Sequence, residues 1–295
     1  MVLPTYVLIT PVRNEAEFIE LTLQSVVAQT VKPLRWVIVS DGSTDGTDEI
    51  VQRYTVEYPW IELVRADANE YRNFAGKVNA FNAGYRRLRD LQYDVIGNLD
   101  GDTSFESDYF SFLLRKLAED TRLGVVGTCY VEDSNLTYNY RFASTDDVPG
   151  NCQLFRRACF EKIGGYTPVE TGAVDTIAVL AARMYGWTTK TFTEKLTVHH
   201  RKSGQAERSA LMVKFRTGIK DYCVGSHPLW ELFKTVYWVT RKPLVMGGVM
   251  LGAGYFWALI RHRKRPISLA LVTFHQTEQM KRLKYLGARA LSGVV

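Results

Sequence analysis

The sequence predicts an α/β protein: a mostly parallel sheet flanked by helices, followed by a helical C-terminal appendage. Three observations carry this. Short β-branched runs alternate with helical patterns through the first half of the 295 residues. Those runs are apolar throughout rather than every second residue, as in strands buried on both faces. The last quarter abandons the alternation for an uncharged stretch between basic clusters.

Tyr6 to Thr10 reads as the first strand and Glu15 to Gln29 as a helix, with Phe18, Leu21 and Val26 at helical spacing. Trp36 to Val39 is the second strand. Thr47 is placed to cap a helix reaching Tyr58, and Ile61 to Val64 is the third strand. Gly76 to Leu91 reads as a helix and Val95 to Leu99 as the fourth strand. Ser107 to Glu119 (helix), Gly124 to Thr128 (strand), Val174 to Met184 (helix) and Leu196 to His200 (strand) follow. The polar stretch from Glu132 to Val148 reads as a loop or hairpin.

Hydrophobic residues make up 46% of the chain and charged residues 23%, enough apolar material for a substantial core. The net charge is +6. A basic balance fits nucleic acid, anionic lipid or a phosphorylated substrate. No nucleic-acid reading module is recognisable, so no nucleic-acid partner is expected. Cys129, Cys152, Cys159 and Cys223 are scattered without paired spacing, against a disulfide framework or zinc knuckle. With no secretory signal before the first strand, a reducing, cytosol-facing location is expected.

Parallel sheets bind ligands beyond the carboxyl ends of their strands. After the first strand comes Pro11-Val12-Arg13-Asn14-Glu15, and after the second Ser40-Asp41-Gly42-Ser43-Thr44-Asp45-Gly46-Thr47. No Gly-x-Gly-x-x-Gly follows the first strand, which disfavours a dinucleotide site. After the fourth strand comes Asp100-Gly101-Asp102. Two carboxylates one residue apart at a buried strand end repel each other unless a cation is present. Hard oxygen ligands suit Mg²⁺ or Mn²⁺, ions that also hold substrate phosphates.

Together with Gly76-Lys77-Val78-Asn79-Ala80-Phe81-Asn82-Ala83-Gly84, these stretches resemble, in order, the family 2 glycosyltransferases. The resemblance covers roughly the first half of the chain and implies a GT-A type, Rossmann-like fold that binds a nucleotide sugar. It implies that Asp41 reads the base, with Pro11, Arg13 and Glu15 lining the same pocket. Lys77 would approach the phosphates, Asp100 would face ribose and donor sugar, and Asp102 would be the metal ligand. Ser40 stands where the family often has a second aspartate, which leaves the base open; UDP is the likeliest by resemblance.

Residues Gly150 to Arg156 resemble the strand beneath the donor sugar, so Asn151, Cys152 and Gln153 are expected on the acceptor or sugar side. The family's base sits in a Glu-Asp pair at a helix start. Here the pair reads Val174-Asp175, so Asp175 is the expected base. A helix N-terminus favours the ionised carboxylate, the form that accepts a proton. The implied reaction is one in-line displacement with inversion at the anomeric carbon. His199, His200, Arg201 and Lys202 are candidates to neutralise the diphosphate, with Arg201 to Arg208 as a lid. The Gln-x-x-Arg-Trp sequence of the processive members is missing, which favours single-sugar addition.

The expected division is 1–205, a glycosyltransferase domain (1–105 donor side, 106–205 acceptor side), and 206–295, a helical membrane-interface region. Pro243 to Ile260 is eighteen residues without a charge, flanked by Arg241-Lys242 and by Arg261, Arg263, Lys264 and Arg265. That is short for crossing a bilayer, which takes about 20 apolar residues. A re-entrant or interfacial helix pair at the inner face of the cell membrane keeps both basic flanks on one side. Trp230, Trp238, Tyr255 and Trp257 suit that depth, and Gly248 and Gly252 suit close helix packing. A lipid-linked or surface-glycan acceptor would fit such a location. A buried hairpin or a homo-oligomer interface is the competing reading of the same helices. The competing functions are a nucleotidyltransferase and a non-catalytic nucleotide-sugar-binding protein.

Overall fold

The computed structural model describes residues 2–66, 74–132, 135–136, 144–170, 172–201, 209–241 and 244–291. The chain divides into two compact units, Met1–Glu170 with Val174–Lys202, and Thr171–Ala173 with Ser203–Val295.

The first unit runs β1 (Tyr6–Val12), α1 (Ile19–Val27), β2 (Arg35–Asp41), α2 (Thr47–Glu57), β3 (Ile61–Ala66), α3 (Phe74–Arg86) and β4 (Val95–Leu99). It continues with β5 (Thr103–Ser104), α4 (Tyr109–Glu119), β6 (Leu123–Glu132), β7 (Asn135–Leu136), β8 (Cys152–Arg156), α5 (Arg157–Ile163), α6 (Val174–Met184) and β9 (Thr188–His199). The sheet order is β3-β2-β1-β4-β8-β6-β9-β5, with β7 on β6. The block β3-β2-β1-β4 is parallel, whereas β8 runs antiparallel to both β4 and β6. The sheet is therefore mixed beyond β4.

The unbroken apolar strands have the expected cause. Tyr6 and Leu8 face one core with Trp36, Ile38, Val95 and the α1 and α4 side chains. Val7 and Ile9 face the other with Val37, Val39, Ile96 and residues of α3, α5 and α6. Both faces of the pleat are covered, so neither tolerates polar alternation.

Several boundaries differ from the sequence expectation. The first helix starts at Ile19, not Glu15. Asn14 takes a positive φ of 55°, and the Glu15 carbonyl closes a turn on the amides of Phe18 and Ile19. Thr47 does not cap α2 with its side chain; Gly46, at φ 94°, holds that position. The Thr47 hydroxyl instead accepts the Glu15 amide, tying the loop after β1 to the loop after β2. The third helix ends at Arg86, short of Leu91. β6 runs past Thr128 to Glu132 because Tyr130 and Val131 pair with Thr197 and Val198 of β9. Val131 also pairs with Leu136, the hairpin expected after Glu132, and residues 137–143 of that stretch lie outside the described residues.

The second unit holds α7 (Ala210–Cys223), α8 (Pro228–Val239), α9 (Met246–Ile260) and α10 (Leu269–Leu291). The glycines of α9 are used within the unit. A methyl group at Gly254 would meet the Phe215 backbone of α7, and one at Gly218 would meet the Leu251 carbonyl of α9. Gly248 and Gly252 face Thr235 of α8 in the same way. Close backbone approach thus joins α9 to both neighbours. Among the described residues no helix is long and apolar enough to cross a membrane. Trp230 and Tyr255, expected at a membrane interface, are instead buried at 5% and 0% exposure. The exposed apolar side chains include Leu229, Leu232 and Val236 on α8 and Met246, Val249, Trp257 and Ile260 on α9. Lys242 and Pro243 lie outside the described residues.

Candidate active site

The site lies in the first unit, where the carboxyl ends of β1, β2 and β4 meet the start of α6 and the end of β9. The loop after β1 is held by the loop after β2. The Asn14 amide donates to Ser43 Oγ, Asn14 Oδ1 accepts the Thr44 amide, and Asp45 Oδ2 accepts the Ala16 amide. Asp41 is 7% exposed, with the Arg13 guanidinium 3.5 Å from its carboxylate. Ser43 and Asp45 are thereby occupied as structural ties, while Arg13 and Asp41 form one charged wall.

Lys77, on α3, reaches Asp100 at 2.5 Å. Burial disfavours its charge, but Asp100, with Asp175 and Asp102 adding less, outweighs that and holds the ammonium above its ordinary range. One cation therefore senses three carboxylates, two from the loop after β4 and one from α6.

Asp100 and Asp102 are pinned by backbone. The Asp100 amide donates to the Asn151 carbonyl, and the Asp102 carbonyl accepts the His200 amide. Burial first, then Asp100, raises the pKa of Asp102, against the pull of His199, Lys77 and Arg201. Asp102 Oδ1 is buried without a hydrogen-bond donor and lies 3.4 Å from His199 Nε2. Asp100, Asp102 and His199 each offer one ligand atom, all within 4.8 Å of one another. Two carboxylates, one imidazole and an unsatisfied buried oxygen fit a small divalent cation.

Asp175 opens α6 beside Gly150. A Cβ at 150 would lie 2.6 Å from Asp175 Oδ2, so only glycine admits this carboxylate here. The Gly150 carbonyl accepts from Asn98 Nδ2 and the next residue, Asn151, holds the Asp100 amide. The helix start and the strand tip are thus linked through two consecutive residues.

The other expected residues divide. Asn151 donates to Thr197 Oγ1 and is 7% exposed. Cys152 lies in the core at 1% exposure, its thiol pushed up to about 12 by burial. Gln153 is fully buried, donating to the Val148 carbonyl and accepting from Tyr166. Cys152 and Gln153 are therefore buried side chains of β8. His199 joins the metal-competent cluster, while His200 turns away to Ser104 Oγ at 2.8 Å. Burial lowers the pKa of His200 against the pull of Asp102, which leaves it a poor counter-charge for phosphate. Arg201 pairs with Glu15 at 2.6 Å, with its Nε 3.7 Å from Asp102. Pro11 is the last but one residue of β1, partly exposed. Lys202 and the remainder of the expected lid, 203–208, lie outside the described residues.

Sequence reasoning missed Glu132, whose carboxylate lies 3.5 Å from His199 Nδ1. Its signal was an acidic residue ending an apolar strand, hidden because the strand was ended at Thr128.

Comparisons with known proteins bear on the family and the fold. The chain is 29% identical over 165 residues to the poly-β-1,6-N-acetyl-D-glucosamine synthase of Staphylococcus aureus strain COL, covering 56% of this chain and 35% of that protein. Against the synthase of the same name from Staphylococcus epidermidis it is 24% identical over 277 residues, 89% of this chain and 58% of the relative. The chain thus spans about a third of the length of the first of these relatives. Among solved structures, the mannosyltransferase PcManGT of Pyrobaculum calidifontis, in complex with GDP-Man and Mn²⁺, superposes with a TM-score of 0.57 at 22% identity, covering 100% of this chain and 77% of that one. TarS 1-349 of S. aureus, in complex with UDP-GlcNAc, gives 0.58 at 14% identity, 85% of this chain and 71% of that one. At such identities the structures speak for the fold, which is of GT-A type. The sequence model of glycosyl transferase family 2 matches residues 7–172, and the chain belongs to that family.

Proposed function

We propose that this chain moves one sugar at a time from a nucleotide-diphosphate sugar, with UDP the first candidate, to a glycan or lipid-linked acceptor. The observation that carries the reading is the convergence of Asp100, Asp102, His199, Lys77 and Asp175 at one end of the sheet. The naming of the relatives as polysaccharide synthases supports the substrate class. The UDP-GlcNAc and GDP-Man complexes of the structural neighbours support a nucleotide-sugar donor.

In this reading Asp41 and Arg13 receive the base, with Pro11 and Glu15 beside them. Lys77 leaves Asp100 for the diphosphate, freeing Asp100 to accept from ribose or sugar hydroxyls. Asp102 and His199 hold Mg²⁺ or Mn²⁺, which when bound supplies positive charge to the departing diphosphate. Asp175 takes the proton of the acceptor hydroxyl as that oxygen attacks the anomeric carbon, with inversion. Arg201, with Lys202, adds positive charge at the phosphates. His200 is left out of that role by its bond to Ser104.

The exposed apolar side chains of α8 and α9, with exposed Arg261, Arg263 and Lys264 beyond α9, support contact with an anionic membrane surface. That contact would put the chain at the inner face of the cell membrane, as a peripheral or monotopic protein. A second copy on the same face would give a homo-oligomer instead. The domain reading, 1–205 catalytic and 206–295 interfacial, goes with this proposal.

The test is a panel of UDP-, GDP- and dTDP-sugars scored for Mn²⁺-dependent thermal stabilisation, then for transfer to glycan and lipid-linked acceptors, with product length read by mass spectrometry. Stabilisation by no donor sinks the reading. Long products sink single addition. Sedimentation with vesicles of anionic against neutral lipid, alongside light scattering, separates membrane contact from self-association.

A further inference from the structure

We propose that Glu132 is a positioning residue: it fixes the His199 imidazole so that Nε2 faces Asp102 as a metal ligand. The inference rests on the metal reading above.

His199 ends β9 and Glu132 ends β6. These strands are parallel neighbours with Val131 paired to Val198, so the two residues stand side by side at the strand tips. The imidazole lies between two carboxylates. Nε2 is 3.4 Å from Asp102 Oδ1, and Nδ1 is 3.5 Å from Glu132 Oε1. All three side chains are largely buried, at 15%, 9% and 15% exposure for His199, Asp102 and Glu132. The Tyr130 ring packs edge-on against the imidazole at 5.9 Å and limits its rotation.

A neutral imidazole has one N–H and one lone pair, and a metal takes the lone pair. Nδ1 is buried without a hydrogen bond in the present geometry, and an N–H there needs an acceptor. Glu132 is the carboxylate placed to receive it. Donation from Nδ1 then leaves the lone pair on Nε2, on the Asp102 side. A carboxylate holding the far nitrogen of a ligating histidine also makes the ligand more basic. Glu132 contributes no ligand atom to the Asp100–Asp102–His199 set. Its role is exerted through the ring.

The test uses the full chain with Mn²⁺ alone as probe. Loss of Glu132 as Glu132→Ala should weaken Mn²⁺ about 10–100-fold, with partial recovery in Glu132→Gln, whose side-chain carbonyl still accepts the N–H. In a His199→Ala background Glu132→Ala should have no further effect. Without metal, nitrogen NMR should show the wild-type His199 protonated on Nδ1, and Glu132→Ala should lose that preference. The proposal is overturned if wild type binds Mn²⁺ and Glu132→Ala binds within twofold of it. It is also overturned if the two substitutions add fully, because Glu132 then acts without His199. If wild type binds no Mn²⁺, the metal reading falls and this inference with it.

Discussion

The two units bury polar groups in opposite ways. In the first, the buried atoms lacking a hydrogen-bond partner include Asp102 Oδ1, His199 Nδ1 and Arg201 Nε, contributed by two segments, the loop after β4 and the end of β9. In the second, both oxygens of Glu231 lack a partner at 0% exposure, among helices that pack through glycine. Nearby Lys234 is committed to Asp221 at 2.6 Å and approaches Glu231 only to 3.8 Å. Unsatisfied groups cost free energy in either place. They point to a ligand where two separate segments aim them into a space the size of an ion. A buried carboxylate that shares its one nearby ammonium with a second carboxylate points instead to proton binding. The same physical anomaly thus reads as a site in one unit and as a strained core in the other.

The largest expected effect tests the first half of that comparison. Asp102→Asn should cut kcat/KM about 1,000-fold or more and abolish Mn²⁺ dependence. Asp175→Asn should cut kcat by about 100- to 10,000-fold with little change in donor KM. Steady-state kinetics over a Mn²⁺ titration checks both. Retained Mn²⁺ dependence in Asp102→Asn would place the ion elsewhere. For the second unit the counterpart is Gly254→Ala, whose methyl group meets the Phe215 backbone of α7. Overpacking there should destabilise the helices by about 3 kcal/mol. Hydrogen exchange in α7 and α9 reads this directly. Unchanged protection would mean the helices slide apart at no cost.

How much of this the sequence disclosed follows the same division. The parallel block was legible because each strand is buried on both faces and each helix shows one apolar face. The candidates Pro11, Arg13, Glu15, Asp41, Asp100 and Asp102 could be named from the sequence because they stand at or just after strand ends in a fixed order, whereas Lys77 lies on α3. Glu132 was not, because β6 extends to it only through distant pairing: its neighbour Val131 pairs with Val198, 67 positions away. Cys152 and Gln153 alternate sides of a strand covered on both faces, so both side chains are buried, which the sequence alone does not disclose. In the second unit a glycine-rich uncharged stretch fitted membrane depth and internal packing equally well. The contacts of Gly218 and Gly254 show close packing of α7 on α9, which composition alone does not disclose.

A smaller effect isolates Glu231. Burial, with Asp221 adding and Lys234 opposing, pushes its pKa up to about 8 from 4.5. Tyr255 on α9 also senses its charge, and Lys214 on α7 lies over Trp238 of α8. Between those two values the folded chain holds a proton that the unfolded chain has released. Stability of the second unit should therefore fall as pH rises from about 5 to 8 and level off above. Glu231→Gln should flatten that slope and exceed wild type at pH 9. Hydrogen exchange of α8 across the pH range checks it. A slope that survives in Glu231→Gln assigns the proton to another group.

The smallest effect concerns Arg201, where the two ways of burying charge meet in one residue. Its guanidinium donates to Glu15 and to the Asn14 carbonyl and lies over the Phe18 ring at 5.7 Å. With 30% of the side chain exposed, the ion pair is partly screened by water. Arg201→Lys keeps the charge but loses the planar fork and the ring contact. If Arg201 mainly ties the end of β9 to the loop after β1, the variant should lose about 0.5–1 kcal/mol of stability and raise donor KM a few-fold at nearly unchanged kcat. If the guanidinium instead follows charge onto the leaving diphosphate, kcat falls with KM held. The KM-against-kcat split therefore decides whether Arg201 is a strap on the empty site or part of the transition state.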